Sequence, residues 1–411
     1  MKRNTLLAMA AGGMLLFASC GKQGEGDFYR IDGDHITFTM AMDSPQSDDK
    51  QAYLPYYQSV LFCPGDSILI NGTPYALIPE GTNYTSTQAR ATAALSADGS
   101  YRFAYPANRL LAGTGSAQGR YLGQFPSKVV ALNPYDITYL EYLDDSIYAE
   151  PFMPMYFATN DIAQESGVVL KNAYALLTPR VNYGTQFADT LFSYYTGETY
   201  GEDNPAPEMT VVEGLIQIAE GTLSGLALLN LSDPSNPTMT TSSMTSNGDS
   251  CAVVFKCRTP MTASHNIGYS QLFPVTNDIA TIPVPPVQNP DGNRIAVCLK
   301  INTVLDSTPY YLVYLGVSKR FTADIERNHI YTLPLNMSTF TQHRAQHLSL
   351  SGIPFDQWVF DVQTDNGEDC KYIIFITPNE VFRDAVFNNA AGGNSKSAAG
   401  ISLPFDNIAI K

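Results

Sequence analysis

The stretch Ile36-Thr-Phe-Thr-Met-Ala-Met42 sets Ile36, Phe38, Met40 and Met42 on one side of an extended chain and Thr37, Thr39 and Ala41 on the other. Successive side chains of a strand point to opposite faces, so this alternation predicts a β-strand with one buried face. Tyr101, Phe103 and Tyr105 repeat the period of two before Pro106. Apolar runs of strand length follow at Ala252–Lys256, Ile295–Ile301, Tyr310–Leu315, His329–Leu335 and Tyr372–Ile376. They are rich in Val, Ile and Tyr, and turn-forming Gly, Pro, Asn or Asp clusters separate most of them, a spacing that predicts an all-β fold of sandwich type with little helix. The best helix signal covers Asn379–Asn388, with Asn379 as N-cap and Val381, Phe382, Ala385 and Val386 as its apolar stripe.

A chain of 411 residues is too long for one core and suits two domains. Its 44% hydrophobic content excludes a disordered protein. Tyrosine (25 residues, against one Trp) and the small share of charged residues lean towards sheet. With 24 Lys and Arg against 39 Asp and Glu, the net charge of −15 argues against nucleic acid as a partner.

The N-terminus reads as a secretory signal, residues 1–19. Lys2 and Arg3 precede the apolar run Thr5–Phe17, which is shorter than the about 20 residues a transmembrane helix needs. Leu16-Phe-Ala-Ser-Cys20 then forms a lipobox, relaxed at Phe17, with Cys20 as the lipidation site; a plain cleaved signal is the alternative. Small residues before the cysteine admit the signal peptidase to an acylated thiol. The expected mature chain begins at Cys20, is two charges more acidic, and is held to a membrane by lipid. Residues 20–27 form the linker from the anchor.

Of the remaining cysteines, Cys63, Cys251, Cys257, Cys298 and Cys370, at least one stays unpaired within a monomer. Cys251 and Cys257, on one strand, would lie about 20 Å apart, beyond the ~7 Å limit between Cα atoms of a disulfide. Scattered core thiols are the simpler reading. The division between domains is expected near 160–167, giving residues 28–165 and 166–411, with Val168–Val181 opening the second as one strand-like run. Thr199–Pro207 and the proline-rich Ile279–Pro290 read as loops, the latter because proline cannot donate to a ladder. An Ala/Gly/Ser-rich loop, Ala390–Gly400, leads to a short terminal strand, Ile401–Ile410, broken by Pro404.

The sequence carries no nucleophile elbow, Walker loop or His-Glu-x-x-His motif. Gly113-Thr-Gly115-Ser-Ala-Gln-Gly119 has one residue too many for a dinucleotide loop and no helix after it, and reads as a turn. His343 and His347 would share a helix face but have no obvious third ligand, so a solvated turn is preferred. Asp48-Asp49 and Asp144-Asp145 read as solvated loop charge. No cofactor, no metal and no enzymatic activity is expected. For carbohydrate, Trp358 reads as core, and the tyrosine clusters at 53–57 and 194–200 serve either as a stacking platform or as half-buried sheet surface.

Four features resemble the fimbrillin-like lipoproteins of Bacteroidetes, the type V pilin superfamily. They are the lipobox ending at Cys20, the strand Ile36–Met42 soon after it, Tyr101-Arg-Phe-Ala-Tyr-Pro106 followed by Met155-Tyr-Phe-Ala-Thr-Asn-Asp161 and the run containing Leu170–Val181, and Phe321–Leu335 with Asn328-His329 where Gly-Lys is usual. The resemblance implies two tandem transthyretin-like β-sandwich domains and a lipidated precursor carried to the outer membrane. It further implies that an Arg- or Lys-specific protease removes the first strand, so that a strand from another subunit fills the groove. The triplets Asp66-Ser67-Ile68, Asp145-Ser146-Ile147 and Asp189-Thr190-Leu191 resemble the O-glycosylation signal of these bacteria.

On that basis Lys50, ending a polar loop behind Ile36–Met42, is the first candidate cleavage site and Arg30 the second, although Arg30 precedes the strand. Ile401–Ile410 is the candidate donor. The expected protein is a lipid-anchored structural subunit of a cell-surface fimbria or related adhesin. Its partners are other fimbrial subunits, the outer membrane and a host or bacterial surface receptor. The alternative is a surface glycan-binding lipoprotein of the outer membrane.

Overall fold

A computed structural model describes residues 28–43, 46–47, 62–80, 87–131, 147–182, 191–193, 196–200, 203–204, 206–207, 209–218, 221–242, 252–263, 280–288, 294–320, 324–336, 342–350, 352–363 and 369–391. The fold is all-β, built as four sheets in two pairs, each pair closing on one hydrophobic core. In the first pair a nine-stranded sheet carries the N-terminal strands β1 (Tyr29–Asp32) and β2 (His35–Met42). It faces a four-stranded sheet made of Leu111–Ala112, Arg120–Phe125, Gly225–Asn230 and Thr238–Ser242. In the second pair an eight-stranded sheet faces a four-stranded one that runs Ile282–Val284, Ala175–Asn182, His329–Asn336 and β3 (Gln46–Ser47). Ile282–Val284, inside the proline-rich stretch, is a strand after all. It sits at an edge, the position that tolerates proline.

The first core is aromatic. Tyr101, Phe103, Tyr121, Phe125, Phe152 and Tyr156 are buried between the two sheets, and edge-to-face contacts such as Phe125–Phe152 (5.0 Å, 72°) join them. Two of the tyrosine hydroxyls reach a partner at the rim, whereas those of Tyr156 and Tyr174 are buried with no hydrogen-bond partner among the described residues. Ser96 donates its backbone N–H to the Tyr101 hydroxyl (2.7 Å), and the Tyr105 hydroxyl donates to Asp66 Oδ2 (2.9 Å). That burial and carboxylate raise the Tyr105 pKa well above the ordinary phenol value. The second core is aliphatic, with Ile216, Val253, Val297 and Leu299 facing Leu177, Ile282 and Leu333. Gly214 lies under the Phe255 ring of the adjacent strand; a Cβ there would meet Phe255 Cζ at 2.2 Å, so only glycine fits.

The run 168–181 forms two strands. Val168–Asn172 completes the nine-stranded sheet, beside β2 and Met155–Thr159, and Ala175–Asn182 enters the second pair. The changeover between cores therefore occurs at Ala173-Tyr174, both buried. The first core also takes in the hairpin Gly225–Asn230/Thr238–Ser242 from far along the chain.

The helix α1 (Glu380–Ala391) covers the outer face of the eight-stranded sheet. Asn379 caps it, its Oδ1 accepting from the Phe382 N–H at 2.9 Å. The buried arc is Phe382, Arg383, Val386 and Phe387, whereas Val381 is 78% exposed. At about 100° per residue, an arc that includes Phe387 turns Val381 to solvent. Asn379→Ala is expected to cost about 1 kcal/mol, read as a lower urea midpoint at unchanged m-value.

Candidate functional site: the seat of the first strand

β2 is an interior strand. Gln88–Ala94 pairs along one edge from His35 to Ala41; β1 and then Val168–Leu170 pair along the other. Ile36, Phe38 and Met40 are 0–1% exposed. Each lies opposite a small buried residue: Ile36 opposite Ala93, Phe38 opposite Ala91, Met40 opposite Ala89. These alanines leave the volume that the large side chains of β2 fill. Phe38 also meets Tyr101 (4.9 Å, 75°) and Phe103 (5.0 Å, 83°) edge-to-face. On the outer face the Thr37 and Thr92 hydroxyls are hydrogen-bonded at 2.8 Å.

The backbone of β2 is held from both sides. Met42 N–H donates to Thr87 (3.1 Å), Thr39 N–H to Phe28 (2.8 Å) and Asp43 N–H to Leu170 (2.9 Å). Even-numbered residues thus bond towards Gln88–Ala94 and odd-numbered ones towards β1 and Val168–Asn172.

At the end of β2 lies a polar node that sequence reading did not single out. Asn172, 0% exposed, donates through Nδ2 to Asp43 O (3.3 Å) and Asn328 Oδ1 (2.7 Å). Asn328 Nδ2 donates to Asp43 Oδ2 (3.2 Å), and Asn328 N–H to Tyr174 O (2.7 Å). The Asn172 Oδ1 has no hydrogen-bond partner among the described residues. Asn328 has φ +64°, the left-handed region that glycine and asparagine enter most readily. Asn328 was the available signal: asparagine enters the left-handed backbone region almost as glycine does and adds a side chain to the node. Beyond the node β3 pairs in parallel with His329 and Ile330, so 35–47 spans both sheet pairs.

Arg30 lies exposed within β1, paired with Thr37. A cut there leaves β2 seated. Cys20, Lys50 and Ile401–Ile410 lie outside the described residues, as do the tyrosine cluster at 53–57, Tyr194 and Tyr195. Tyr200 is half-buried against the second core, edge-on to Phe192. Ser67 is a half-buried strand residue.

His343 and His347 stand on the strand Gln342–Leu350 rather than on a turn or helix, and His347 Nδ1 lies 2.5 Å from Asp356 Oδ1. Gly115–Ala117 is a short 3-10 turn, as the glycine spacing implies. Among the described residues no group of three or more His, Cys, Asp or Glu is arranged to hold a metal. Cys257 and Cys298 are buried, and burial with the nearby Glu213 carboxylate pushes the Cys257 thiol up to about 12.

A cavity of about 670 Å³ opens where Thr238–Ser242 approaches residues 286–288 and 324–327. Thr222, Thr240, Gln288, Asp324, Glu326 and Arg327 supply its polar lining. Its size lies within the range of small-ligand sites.

Comparison with known proteins returns no matching family model and no curated relative.

Proposed function

We propose that this protein is a structural subunit of a cell-surface fimbria or related adhesin, lipidated at Cys20 and assembled by removal of its first strand and donation of a strand from another subunit. The observation that carries this reading is the seat of β2. A strand close to the N-terminus occupies an interior position, with Ile36, Phe38 and Met40 buried opposite Ala93, Ala91 and Ala89. Taking it out leaves an apolar slot flanked by two rows of backbone donors and acceptors, which another extended segment can fill by β-augmentation. A cut after Lys50 frees the whole span 28–47, and a cut after Arg30 does not.

Intact mass and N-terminal sequencing of native surface material are expected to give a chain starting at Gln51 in the polymer. A lipidated Cys20 throughout the assembled material would overturn processing. Deleting residues 401–411 is expected to leave a folded monomer that does not assemble; unchanged oligomer ladders would overturn strand donation.

The second reading, a glycan-binding lipoprotein of the outer membrane, draws on the cavity near Asp324–Arg327, whose hydroxyls, carboxylates and guanidinium suit sugar hydroxyls. A glycan screen silent for the parent chain, or unaltered by Asp324→Ala with Glu326→Ala, would dispose of it.

A further inference from the structure

Whatever fills the slot of β2 must also satisfy the node at its end. Without Asp43, the Asn328 Nδ2 and the buried Asn172 amide lose acceptors, and a buried polar group without a partner is costly. The slot therefore asks for alternating apolar residues, then a carboxylate directly after the last of them, then a few residues reaching the His329–Ile330 edge.

We propose that the C-terminal segment of a second copy of this chain enters in one register, with Ile401, Leu403 and Phe405 in the places of Phe38, Met40 and Met42, and Asp406 in the place of Asp43. This rests on the strand-donation reading above. The match is in the sequence: Phe38-Thr-Met-Ala-Met42-Asp43 and Ile401-Ser-Leu-Pro-Phe405-Asp406 share the apolar spacing and end on the same Phe/Met-Asp step. The same register brings Ala409 and Ile410 to the places of Gln46 and Ser47, beside His329 and Ile330.

Pro404 falls at Ala41. By the alternation of β2, the amide of that residue points to the Val168–Asn172 edge, because its odd-numbered neighbours Thr39 and Asp43 donate on that side. The proline forgoes one bond there and leaves every bond to Gln88–Ala94 in place. A shift by one residue would turn the apolar set outwards. A shift by two sets Ile401 in the place of Ile36 and keeps the faces but removes the carboxylate from the node, so Asp406 favours the register in which Ala399 takes the place of Ile36.

The test is a full chain in which the sequence 401–411 replaces residues 38–48. It is compared with the same graft shifted by two residues, and with the in-register graft carrying Asp406→Ala, each in parent and Asn328→Ala backgrounds. The in-register graft is expected to fold cooperatively. Asp406→Ala is expected to lower its folding equilibrium constant roughly tenfold, and Asn328→Ala is expected to abolish that difference. Equal stability of the two registers, or an Asp406→Ala effect that persists with Asn328→Ala, overturns the register and leaves strand donation standing. A chain that folds in neither register shows that 401–411 does not fit the seat and overturns both.

Discussion

Replacing Phe38 by alanine is expected to destabilise the first sandwich by about 3–5 kcal/mol, the usual cost of emptying a buried phenylalanine site. Phe38 is fully buried, and its neighbours cannot collapse into the gap. Ala91 opposite is too short to reach, and Tyr101 and Phe103 are fixed in strands, the first also through its hydroxyl to Ser96. Thr37→Ala, on the outward face of the same strand, loses one exposed hydroxyl contact and is expected to cost less than about 1 kcal/mol. Urea unfolding of both variants, followed by tyrosine fluorescence, checks the contrast. A Phe38→Ala variant within 1 kcal/mol of the parent would mean that β2 is not seated as described, and the proposed strand exchange would lose its groove. If β2 is seated, the same variant weakens its hold on the slot and is expected to speed displacement by a donor.

How much of this was legible beforehand depends on the range of the interaction. Alternation is local, so the face of β2 could be read directly: Ile36, Phe38 and Met40 are the buried residues. The Asn379 cap was legible for the same reason. The pairing of large residues on β2 with alanines on Gln88–Ala94 was not, because nothing local links positions 49 to 57 residues apart. The run 168–181 reads as one strand since its hydropathy is continuous; only the tertiary fold breaks it at Ala173-Tyr174 and gives each piece to a different core. The hairpin at 225–242 joins the first core for equally non-local reasons. The Asp43–Asn172–Asn328 node unites three short polar residues that each look like turn formers in sequence. The abundance of tyrosine with few charges has a plain physical origin here: Tyr101, Tyr121, Tyr156 and Tyr174 fill the first core.

Arg383→Ala is expected to loosen the helix from the second sandwich, at a cost of about 3 kcal/mol, the lower end of what removing one partner of a buried ion pair costs. Arg383 is 2% exposed. Its guanidinium contacts Asp384 Oδ1 (2.7 Å), Glu380 Oε1 (3.0 Å) and the Asn302 side chain, and lies 4.7 Å from the Tyr311 ring centre. The lower end applies because Glu380 and Asp384 remain more than a third exposed and stay hydrated when the cation is gone. Lys300 binds Asp384 (2.9 Å) and Glu213 (3.0 Å), and the Tyr148 hydroxyl donates to Glu213, so the clamp reaches down to the sheet. Burial pushes the Asp384 carboxyl up, but hydrogen bonds from Lys300 and Arg383 outweigh it and hold it below the usual range. A depressed carboxyl contributes stability above its unfolded pKa of about 3.9 and loses that contribution as the pH falls through the folded value. Asp384→Asn is therefore expected to flatten this part of the acid unfolding curve. Cys298 supplies an independent reading of the helix. Its thiol is buried in the layer that Phe382, Val386 and Phe387 cover, and burial raises its pKa well above the ordinary value. Alkylation followed by peptide mass mapping is expected to find Cys298 protected in the parent and modified faster in Arg383→Ala, with Arg383→Met intermediate because its stem still packs over Tyr311. Unchanged protection of Cys298 together with unchanged stability would show that the hydrophobic layer alone holds the helix and that the clamp contributes nothing.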